Sequence, residues 1–189
     1  MVDPSIRPAW QGARICGVAA TVECPPGDNL MLHQAVAAAR PGEVIVAKTG
    51  SYLLAGAWGE ILTMAAKAKG VLGLVIDGAV RDIEAIAGHG FPVFSRGLAI
   101  GACTKQRPGT LGTAIQFGGV TVSPGDIVFG NADGLVILEQ ARLEEIYAAA
   151  VKRQQREVWI MEQLRHGKTT LDLLGLPDLT GQAGTITAK

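Results

Sequence analysis

The sequence has few of the residues that mark disulfide-rich proteins. Its 189 residues include only three cysteines, Cys16, Cys24 and Cys103, an odd number with no Cys-x-x-Cys pair. They lie in apolar stretches, which is typical of the reduced cysteines of cytoplasmic proteins. We therefore expect small buried thiols and no disulfide framework.

Charge of one sign and long apolar runs are also lacking. The 17 Lys and Arg residues equal the 17 Asp and Glu residues in number. Because nucleic-acid binders need a basic surface, no nucleic-acid partner is expected. Met1 to Pro8 has no basic region followed by an apolar one, and no later run approaches the ~20 apolar residues that cross a membrane. We expect a cytoplasmic protein with no membrane partner.

Several catalytic motifs are missing as well. The sequence contains no Gly-x-Ser-x-Gly elbow, no Walker phosphate loop and no dinucleotide fingerprint. His33, His89 and His166 are far apart, and no His-x-x-x-His or His-x-x-Glu spacing occurs. These absences exclude serine hydrolases, nucleotide hydrolases, nicotinamide dehydrogenases and zinc-type aldolases. Each isolated histidine is interpreted as structural or exposed.

The residues that are abundant indicate a mixed α/β protein. Glycine is frequent, aromatic residues make up only 5%, and small aliphatic residues dominate. A chain of 189 residues is long enough to bury one full core. We predict a single domain over residues 1–189, with about 1–12 as an N-terminal extension.

Alternating short strands and helices fill the first half of the chain. Turn residues and apolar spacing predict strands at 14–24, 43–47, 71–76 and 92–94, and helices at 30–40, 60–69 and 83–87. The later strands and helices form two consecutive β-α-β units. Parallel pairing of their strands is expected.

The second half of the chain has a different pattern. Short strands are predicted around 114–117, 120–122, 127–129 and 135–138, separated by the turns Pro124-Gly125-Asp126 and Asn131 to Gly134. This pattern predicts a β meander or a small barrel.

A long amphipathic helix is predicted at 139–166, where apolar residues recur every three or four positions. It is too long to lie only over its own domain, so we expect part of it to pack on a neighbouring subunit. The stretch 177–189 is expected to be a flexible tail.

Two short segments contain residues that could carry chemistry. The turn Gly56-Ala57-Trp58-Gly59 precedes a helix start, where free amides and the helix dipole favour an anion. Arg81-Asp82 follows the most apolar strand, at the edge where open α/β sheets hold ligands. Arginine suits a carboxylate, and aspartate offers hard oxygen for Mg²⁺ or Mn²⁺. Each segment also has a purely structural interpretation: a strand-to-helix turn, and a capping aspartate beside a solvated arginine.

Three stretches together resemble a known family. GAWGEIL, AAKAKGVLGLVIDGAVRD and VSPGDIVFGNADGLVIL, in this order, are similar to the 4-hydroxy-4-methyl-2-oxoglutarate / 4-carboxy-4-hydroxy-2-oxoadipate aldolases. The same family contains the regulators of ribonuclease activity A, and the resemblance covers about residues 3–170. Relatives usually carry an extra helical segment before the stretch that matches Asp3 to Trp10.

The resemblance implies a fold, an assembly and a metal site. The fold is an α/β sandwich of the swivelling β/β/α type with a long C-terminal helix, assembled as a homotrimer or a dimer of trimers. Asp82 ligates Mg²⁺ or Mn²⁺, Glu60 holds the metal through water, and Glu157 does so from the neighbouring subunit. Arg81 binds the pyruvyl end of a 2-oxo acid substrate. The amides around Gly59, Glu60, Ile61 and Leu62 match the carboxylate-binding loop.

This resemblance implies a metal-dependent class II aldolase, with Arg81, Asp82 and Glu60 as catalytic residues. Cleavage beside a 2-oxo acid leaves an enolate that a divalent cation and Arg81 stabilise, so oxaloacetate decarboxylation is an expected side activity. Lys48, Lys67 and Lys69 are the alternatives for Schiff-base chemistry.

A different class of function competes with the enzyme. The ribonuclease regulators resemble this chain in fold and trimeric form, which favours a non-catalytic binding protein. Those regulators lack part of the metal set, whereas the four residues Glu60, Arg81, Asp82 and Glu157 are all present here. A methyltransferase is not predicted, because Val22-Glu23-Cys24 is followed by two prolines and not by a glycine-rich loop.

Overall fold

The computed structural model describes residues 2–179. The chain divides into two compact units, with the boundary after Leu143. The prediction that the whole chain is one domain stays a prediction.

Thirteen short strands are described, and they alternate with helices in the first half of the chain. The strands are β1 (Arg7–Pro8), β2 (Ile15–Glu23), β3 (Glu43–Lys48), β4 (Gly56–Trp58), β5 (Gly73–Ile76), β6 (Ala79–Val80), β7 (Val93–Ser95), β8 (Gly97–Leu98), β9 (Thr110–Leu111), β10 (Ile115–Phe117), β11 (Val120–Val122), β12 (Ile127–Asn131) and β13 (Gly134–Leu138). The helices are α1 (Leu30–Ala38), α2 (Glu60–Ala68), α3 (Ile83–Gly88), α4 (Leu143–Arg165) and α5 (Thr170–Leu174), with a 3₁₀ turn at Gln140–Arg142.

The largest sheet has a parallel centre. Its strand order is β1-β7-β5-β3-β2-β12-β13, and β9 also pairs with β2. The pairs β2 with β3, β3 with β5 and β5 with β7 are all parallel. The predicted parallel β-α-β units are therefore confirmed, as is the mixed α/β fold class.

The second half of the chain differs from the predicted meander. Its four strands exist, but they form two hairpins in different sheets: β10 pairs with β11, and β12 pairs with β13. The second hairpin extends the large sheet, because β12 pairs antiparallel with β2. No local pattern could indicate this pairing, since the paired residues are more than a hundred positions apart.

Both faces of the parallel strands are buried. In β3 the side chains of Ile45 and Ala47 enter the cluster that includes Leu32 of α1. Those of Val44 and Val46 enter a second cluster on the opposite face. A strand that buries both faces reads as a continuous apolar run, as the sequence of β3 does.

The cysteines are free, and their environments differ. Burial raises the pKa of the Cys24 thiol to about 12, and Cys103 is partly buried. Cys16 is exposed, contrary to expectation. It pairs with Phe129 of β12, which is also exposed, so this part of β2 has an outward face.

The C-terminal unit is helical. α4 has 23 residues, none of them buried, and Thr169 and Asp172 form a capping box that begins α5. Four apolar side chains of α4 are about half exposed or more: Tyr147, Val158, Trp159 and Met161. The expected packing of this helix on another subunit stays a prediction. Within residues 2–179 no helix is long and apolar enough to cross a membrane. Of the expected tail, residues 180–189 lie outside the described part.

A buried carboxylate connects two distant loops of the N-terminal unit. Asp28, in the turn between β2 and α1, accepts hydrogen bonds from the Thr104 hydroxyl at 2.6 Å and from the amides of Gln106 at 2.8 Å, Arg107 at 3.1 Å and Leu30 at 3.0 Å. Burial opposes its ionisation, but these hydrogen bonds outweigh burial and hold the pKa of Asp28 well below its usual range. The segment after β8 is thereby fixed to the β2–α1 turn.

Asp28→Ala should lower the free energy of unfolding by about 3 kcal/mol at pH 7, because three amides and a hydroxyl lose the charged acceptor that joins the two loops. The folded-state pKa of Asp28 is depressed, so its contribution is present above the ordinary carboxyl pKa and is lost as pH falls through the folded-state value. Urea unfolding at several pH values measures both effects. Glu84→Ala, on an exposed carboxylate of α3, is the matched control. A gap between wild type and Asp28→Ala that stays constant from pH 7 to pH 2 would contradict this account.

Candidate active site

The candidate residues lie at the ends of three strands of a small parallel sheet, ordered β4-β6-β8. Gly59 follows β4, Arg81 follows β6 and Ala99 follows β8. Parallel strands end at the same edge of a sheet, so these positions come together. The sequence placed Arg81-Asp82 directly after the most apolar strand, β5. In the structure Asp77, Gly78 and the separate strand β6 intervene.

Main-chain hydrogen bonds fix this edge. The Arg81 amide donates to the Trp58 carbonyl at 2.8 Å, and the Ala99 amide donates to the Val80 carbonyl at 3.0 Å. The Trp58 side chain is fully buried, stacks on Phe91 and donates to the Thr63 hydroxyl at 2.8 Å. The end of β4 is therefore anchored in the core.

Arg81, Asp82 and the main chain of Glu60 come together at this edge. The Glu60 amide donates to Asp82 Oδ2 at 3.1 Å, and Arg81 Nε lies 3.6 Å from the same oxygen. The Arg81 and Asp82 side chains are 36% and 43% exposed, so both are open to a ligand. Within residues 2–179 the second oxygen, Asp82 Oδ1, accepts no hydrogen bond.

Asp82 has an unusual backbone conformation. Its φ of 57° and ψ of 36° are left-handed, a region that aspartate tolerates at a small energetic cost. It occupies the N-cap position of α3, yet its side chain makes no capping hydrogen bond to that helix. Asp82 thus lies at the capping position that its sequence context indicated, but its side chain does not cap the helix. The carboxylate is turned toward α2 and the edge of the small sheet.

Two glycines permit this close approach. A Cβ on Gly59 would lie 2.4 Å from Asp82 Oδ2 and 3.1 Å from Arg81 Nε. A Cβ on Gly56 would lie 2.4 Å from the Ala99 carbonyl oxygen. The turn that the sequence marked as glycine-rich therefore needs its glycines for space, not for positive φ.

A cleft of about 300 Å³ opens beside the pair. It is lined by Val80, Arg81, Asp82, Ile83, Leu98, Ala99 and Ile100. A larger groove of about 440 Å³ runs along β2 and α1, where small residues dominate the walls. We place the candidate site at the smaller cleft, because it is lined by the charged pair Arg81 and Asp82 that the sequence singled out.

The start of α2 has amides that an anion could accept hydrogen bonds from. Helix geometry leaves the first-turn amides, including those of Ile61 and Leu62, without intrahelical acceptors. The Glu60 amide was also expected to bind the anion, but it already donates a hydrogen bond to Asp82. Ile61 is 79% exposed.

His89 contacts a candidate site residue, and the sequence did not predict this contact. Its Nε2 lies 3.0 Å from Glu60 Oε1, whereas the sequence indicated an isolated structural histidine. The short length of α3 could have indicated this contact from the sequence. Six helical residues span only about 9 Å, so the C-cap of a helix that begins at the site lies near the site as well.

Comparison with known proteins identifies the family. The family model described as RraA-like, Aldolase/RraA, matches residues 1–137. The chain belongs to the RraA-like family. A Halalkalibacterium halodurans protein named "Putative 4-hydroxy-4-methyl-2-oxoglutarate aldolase" is 36% identical over 150 residues, which are 79% of this chain and 71% of that protein.

Solved structures agree with this membership. An uncharacterized protein from Pseudomonas syringae pv. tomato str. DC3000 superimposes with a TM-score of 0.80 at 29% identity, covering 91% of this chain and 84% of that one. The RNA-processing inhibitor RraA from Thermus thermophilis superimposes with a TM-score of 0.67 at 25% identity, covering 73% and 84%. The RraA-like family thus includes proteins named for catalysis and proteins named for inhibition.

The candidate site of this RraA-like chain has some, but not all, of the oxygen ligands that a hard divalent cation needs. Among residues 2–179 no three His, Cys, Asp or Glu side chains converge. Asp82 and Glu60 nevertheless offer carboxylate oxygens, and Mg²⁺ is usually held by one or two carboxylates while it keeps several waters. Glu157 lies on α4, where it accepts from Arg153 Nε at 2.8 Å. Its placement at a neighbour's site stays a prediction.

Two of the three lysines considered for Schiff-base chemistry have other partners. Lys48 Nζ lies 2.6 Å from Glu23 Oε1, and Lys67 Nζ donates to the His89 carbonyl. Lys69 is the exposed C-cap of α2. Schiff-base chemistry needs an uncharged, desolvated amine, which an ammonium held in an ion pair does not provide.

The two glycines of the turn should respond differently to alanine. Gly56→Ala forces backbone atoms apart and should lower the free energy of unfolding by about 1–3 kcal/mol. Gly59→Ala meets the end of the Asp82 side chain, so it should displace that carboxylate with a smaller loss of stability. Urea unfolding and a crystal structure of Gly59→Ala measure these effects. Gly88→Ala, where an added Cβ meets nothing within 4 Å, is the control. Equal destabilisation by Gly56→Ala and Gly88→Ala would contradict the steric argument.

Proposed function

We propose that this chain is a divalent-metal-dependent class II aldolase. It cleaves substrates of the 4-hydroxy-4-methyl-2-oxoglutarate or 4-carboxy-4-hydroxy-2-oxoadipate type to pyruvate and a second oxo acid, with oxaloacetate decarboxylation as a side activity. The observation that carries the proposal is the pair Arg81 and Asp82, which lines a cleft and contacts the main chain of Glu60 at one sheet edge. The relationship to the Halalkalibacterium halodurans protein supports it.

The substrate's pyruvyl end is bound by fixed groups of the chain. Asp82 and Glu60 are the residues that would hold Mg²⁺ or Mn²⁺, Asp82 directly and Glu60 through water. When bound, the cation supplies Lewis-acid stabilisation of negative charge on the 2-oxo oxygen. Arg81 presents a planar set of donors to the carboxylate, and the free amides of Ile61 and Leu62 offer further donors.

Arg81 also contributes to the reaction step. Cleavage next to a 2-oxo group leaves an electron pair that moves toward the 2-oxo oxygen, and a fixed guanidinium stabilises this charge as it develops. A water beside Arg81 takes the proton of the 4-hydroxyl and later returns one to the pyruvate carbon. The same charge develops when oxaloacetate loses CO₂, which explains the side activity.

The proposed assembly is a homotrimer or a dimer of trimers in the cytoplasm, with Glu157 donated from the neighbouring subunit. The absence of buried residues in α4, with Trp159 and Met161 about half exposed, supports the view that this helix packs on another chain.

A non-catalytic binding protein is the second candidate. The similarity to the RNA-processing inhibitor RraA favours it. Fold alone does not distinguish the two functions, because one fold hosts many activities. The charged residues at the cleft favour the enzyme.

The first test is pyruvate release from oxaloacetate and from 4-hydroxy-4-methyl-2-oxoglutarate, followed with a coupled lactate dehydrogenase assay. Wild type should turn over both with Mg²⁺ or Mn²⁺ and neither after EDTA treatment. Asp82→Ala should lower the rate by at least about 100-fold, because the direct ligand is lost. Asp133→Ala, in the exposed β12–β13 turn, should retain the wild-type rate. Absence of metal-dependent turnover in wild type would favour the binding protein.

A second test addresses the shared site. Glu157→Ala should lower the rate by about 10–100-fold, because Glu157 would hold the water molecules around the cation. The circular dichroism spectrum and the free energy of unfolding should stay unchanged. The lost pair with Arg153 is exposed and contributes little stability. Glu144→Ala on the same helix is the control.

Mixed oligomers sharpen this test. Co-expression of Asp82→Ala and Glu157→Ala chains should restore about a quarter of the wild-type activity. In random assembly, half of the sites keep Asp82 and half of those also receive an intact Glu157 from the neighbouring subunit. Mixing the Asp82→Ala chain with the double variant creates no intact site and is the control. Full activity of Glu157→Ala, or no restoration in the mixture, would contradict the intersubunit donor.

A further inference from the structure

The side chain of Glu60 needs a partner to hold it at the site. Its main chain is fixed by the hydrogen bond from the amide to Asp82 Oδ2 at 3.1 Å. Its carboxylate lies on a long side chain that is 49% exposed, and such side chains lose considerable entropy when they are held in one rotamer. Among residues 2–179 the single hydrogen-bond partner of the carboxylate is His89, through Oε1 at 3.0 Å. Oε2 is left unoccupied.

His89 is itself held from two sides. It is the C-cap of α3, and its amide donates to the Ala85 carbonyl at 2.9 Å. Its carbonyl accepts from Lys67 Nζ on α2. The imidazole is 32% exposed, so most of its surface is covered. His89 is therefore a more fixed residue than the glutamate that it contacts.

The two ends of α3 hold the same residue of α2. At the N-terminal end, Asp82 accepts from the main chain of Glu60, and at the C-terminal end His89 contacts its side chain. Since α3 has only six residues, the two contacts act from one short rigid element. Movement of the Glu60 carboxylate thus requires a broken hydrogen bond or a displaced helix.

We propose that His89 is a positioning residue, which orients the Glu60 carboxylate so that Oε2 faces the site where the water shell of a divalent cation lies. This role rests on the proposed function. An ionised carboxylate only accepts hydrogen bonds, so His89 Nε2 carries the proton and donates to Oε1. Residues that orient the ligands of a metal in this way commonly change affinity or activity by about 10–100-fold when they are removed.

The test measures Mn²⁺ binding to the full-length protein by electron paramagnetic resonance, without substrate. His89→Ala should raise the Kd for Mn²⁺ about 10-fold. His89→Gln places an amide donor near the position of Nε2 and should recover most of the affinity. His166→Ala is the matched control, because His166 Nε2 lies at the same 3.0 Å from Glu162 on α4 and far along the chain from the site. Unfolding by urea should be similar in all three variants.

A double-mutant cycle separates positioning from a purely structural effect. If His89 acts through Glu60, then His89→Ala should change the Kd for Mn²⁺ in wild type and leave it unchanged in a Glu60→Ala background. An equal effect in both backgrounds would overturn the role, as would equal losses in His89→Ala and His89→Gln.

The outcomes also distinguish this role from the proposed function. Mn²⁺ binding and metal-dependent pyruvate release by wild type, together with an unchanged Kd in His89→Ala, would overturn the positioning role alone. Absence of both Mn²⁺ binding and turnover in wild type would overturn the proposed function and the role together. A raised Kd in His89→Ala with rescue by His89→Gln supports both.

Discussion

The candidate site depends on one close contact, that of the Asp82 carboxylate with the start of α2. The Glu60 amide donates to Asp82 Oδ2 at 3.1 Å. This contact requires glycine at position 59, because an added Cβ would lie only 2.4 Å from the same oxygen. Asp82 adopts a left-handed backbone to reach it. Such a conformation costs energy, and surrounding structure must compensate for it. Hydrogen bonds at the ends of the small parallel sheet hold the neighbouring Arg81 in place.

The rest of the fold stabilises this contact from a distance. Trp58, fully buried, fixes the end of β4, and the large sheet with both faces covered provides the rigid base. Asp28 fixes the loop that follows the cleft wall at Leu98 to Ile100, because its carboxylate binds the Thr104 hydroxyl and the amides of the next residues. The parts of the cleft that come from distant segments are therefore held by buried polar and apolar contacts, and not by the site residues alone.

The sequence predicted the features that depend on local pattern. The β-α-β units followed from apolar runs bounded by glycine and proline, and the meeting of Gly59 with Arg81-Asp82 followed from a motif. The pairing of β12 with β2 and the contact of His89 with Glu60 did not follow, because each joins segments whose approach is set by tertiary packing. The separate strand β6 was also missed, since two residues are too few to produce a periodicity.

The geometry at Asp82 also bears on the choice between catalysis and simple binding. The carboxylate of Asp82 makes no hydrogen bond to α3, the helix at whose N-cap it lies. It reaches instead to the first amide of α2, beside an arginine and an open cleft, while 43% of its side chain stays exposed. Asp82 therefore does not give α3 the stabilisation that an ordinary N-cap side chain gives. Under the proposed function, the open carboxylate oxygen of Asp82 is the hard donor that a divalent cation would use.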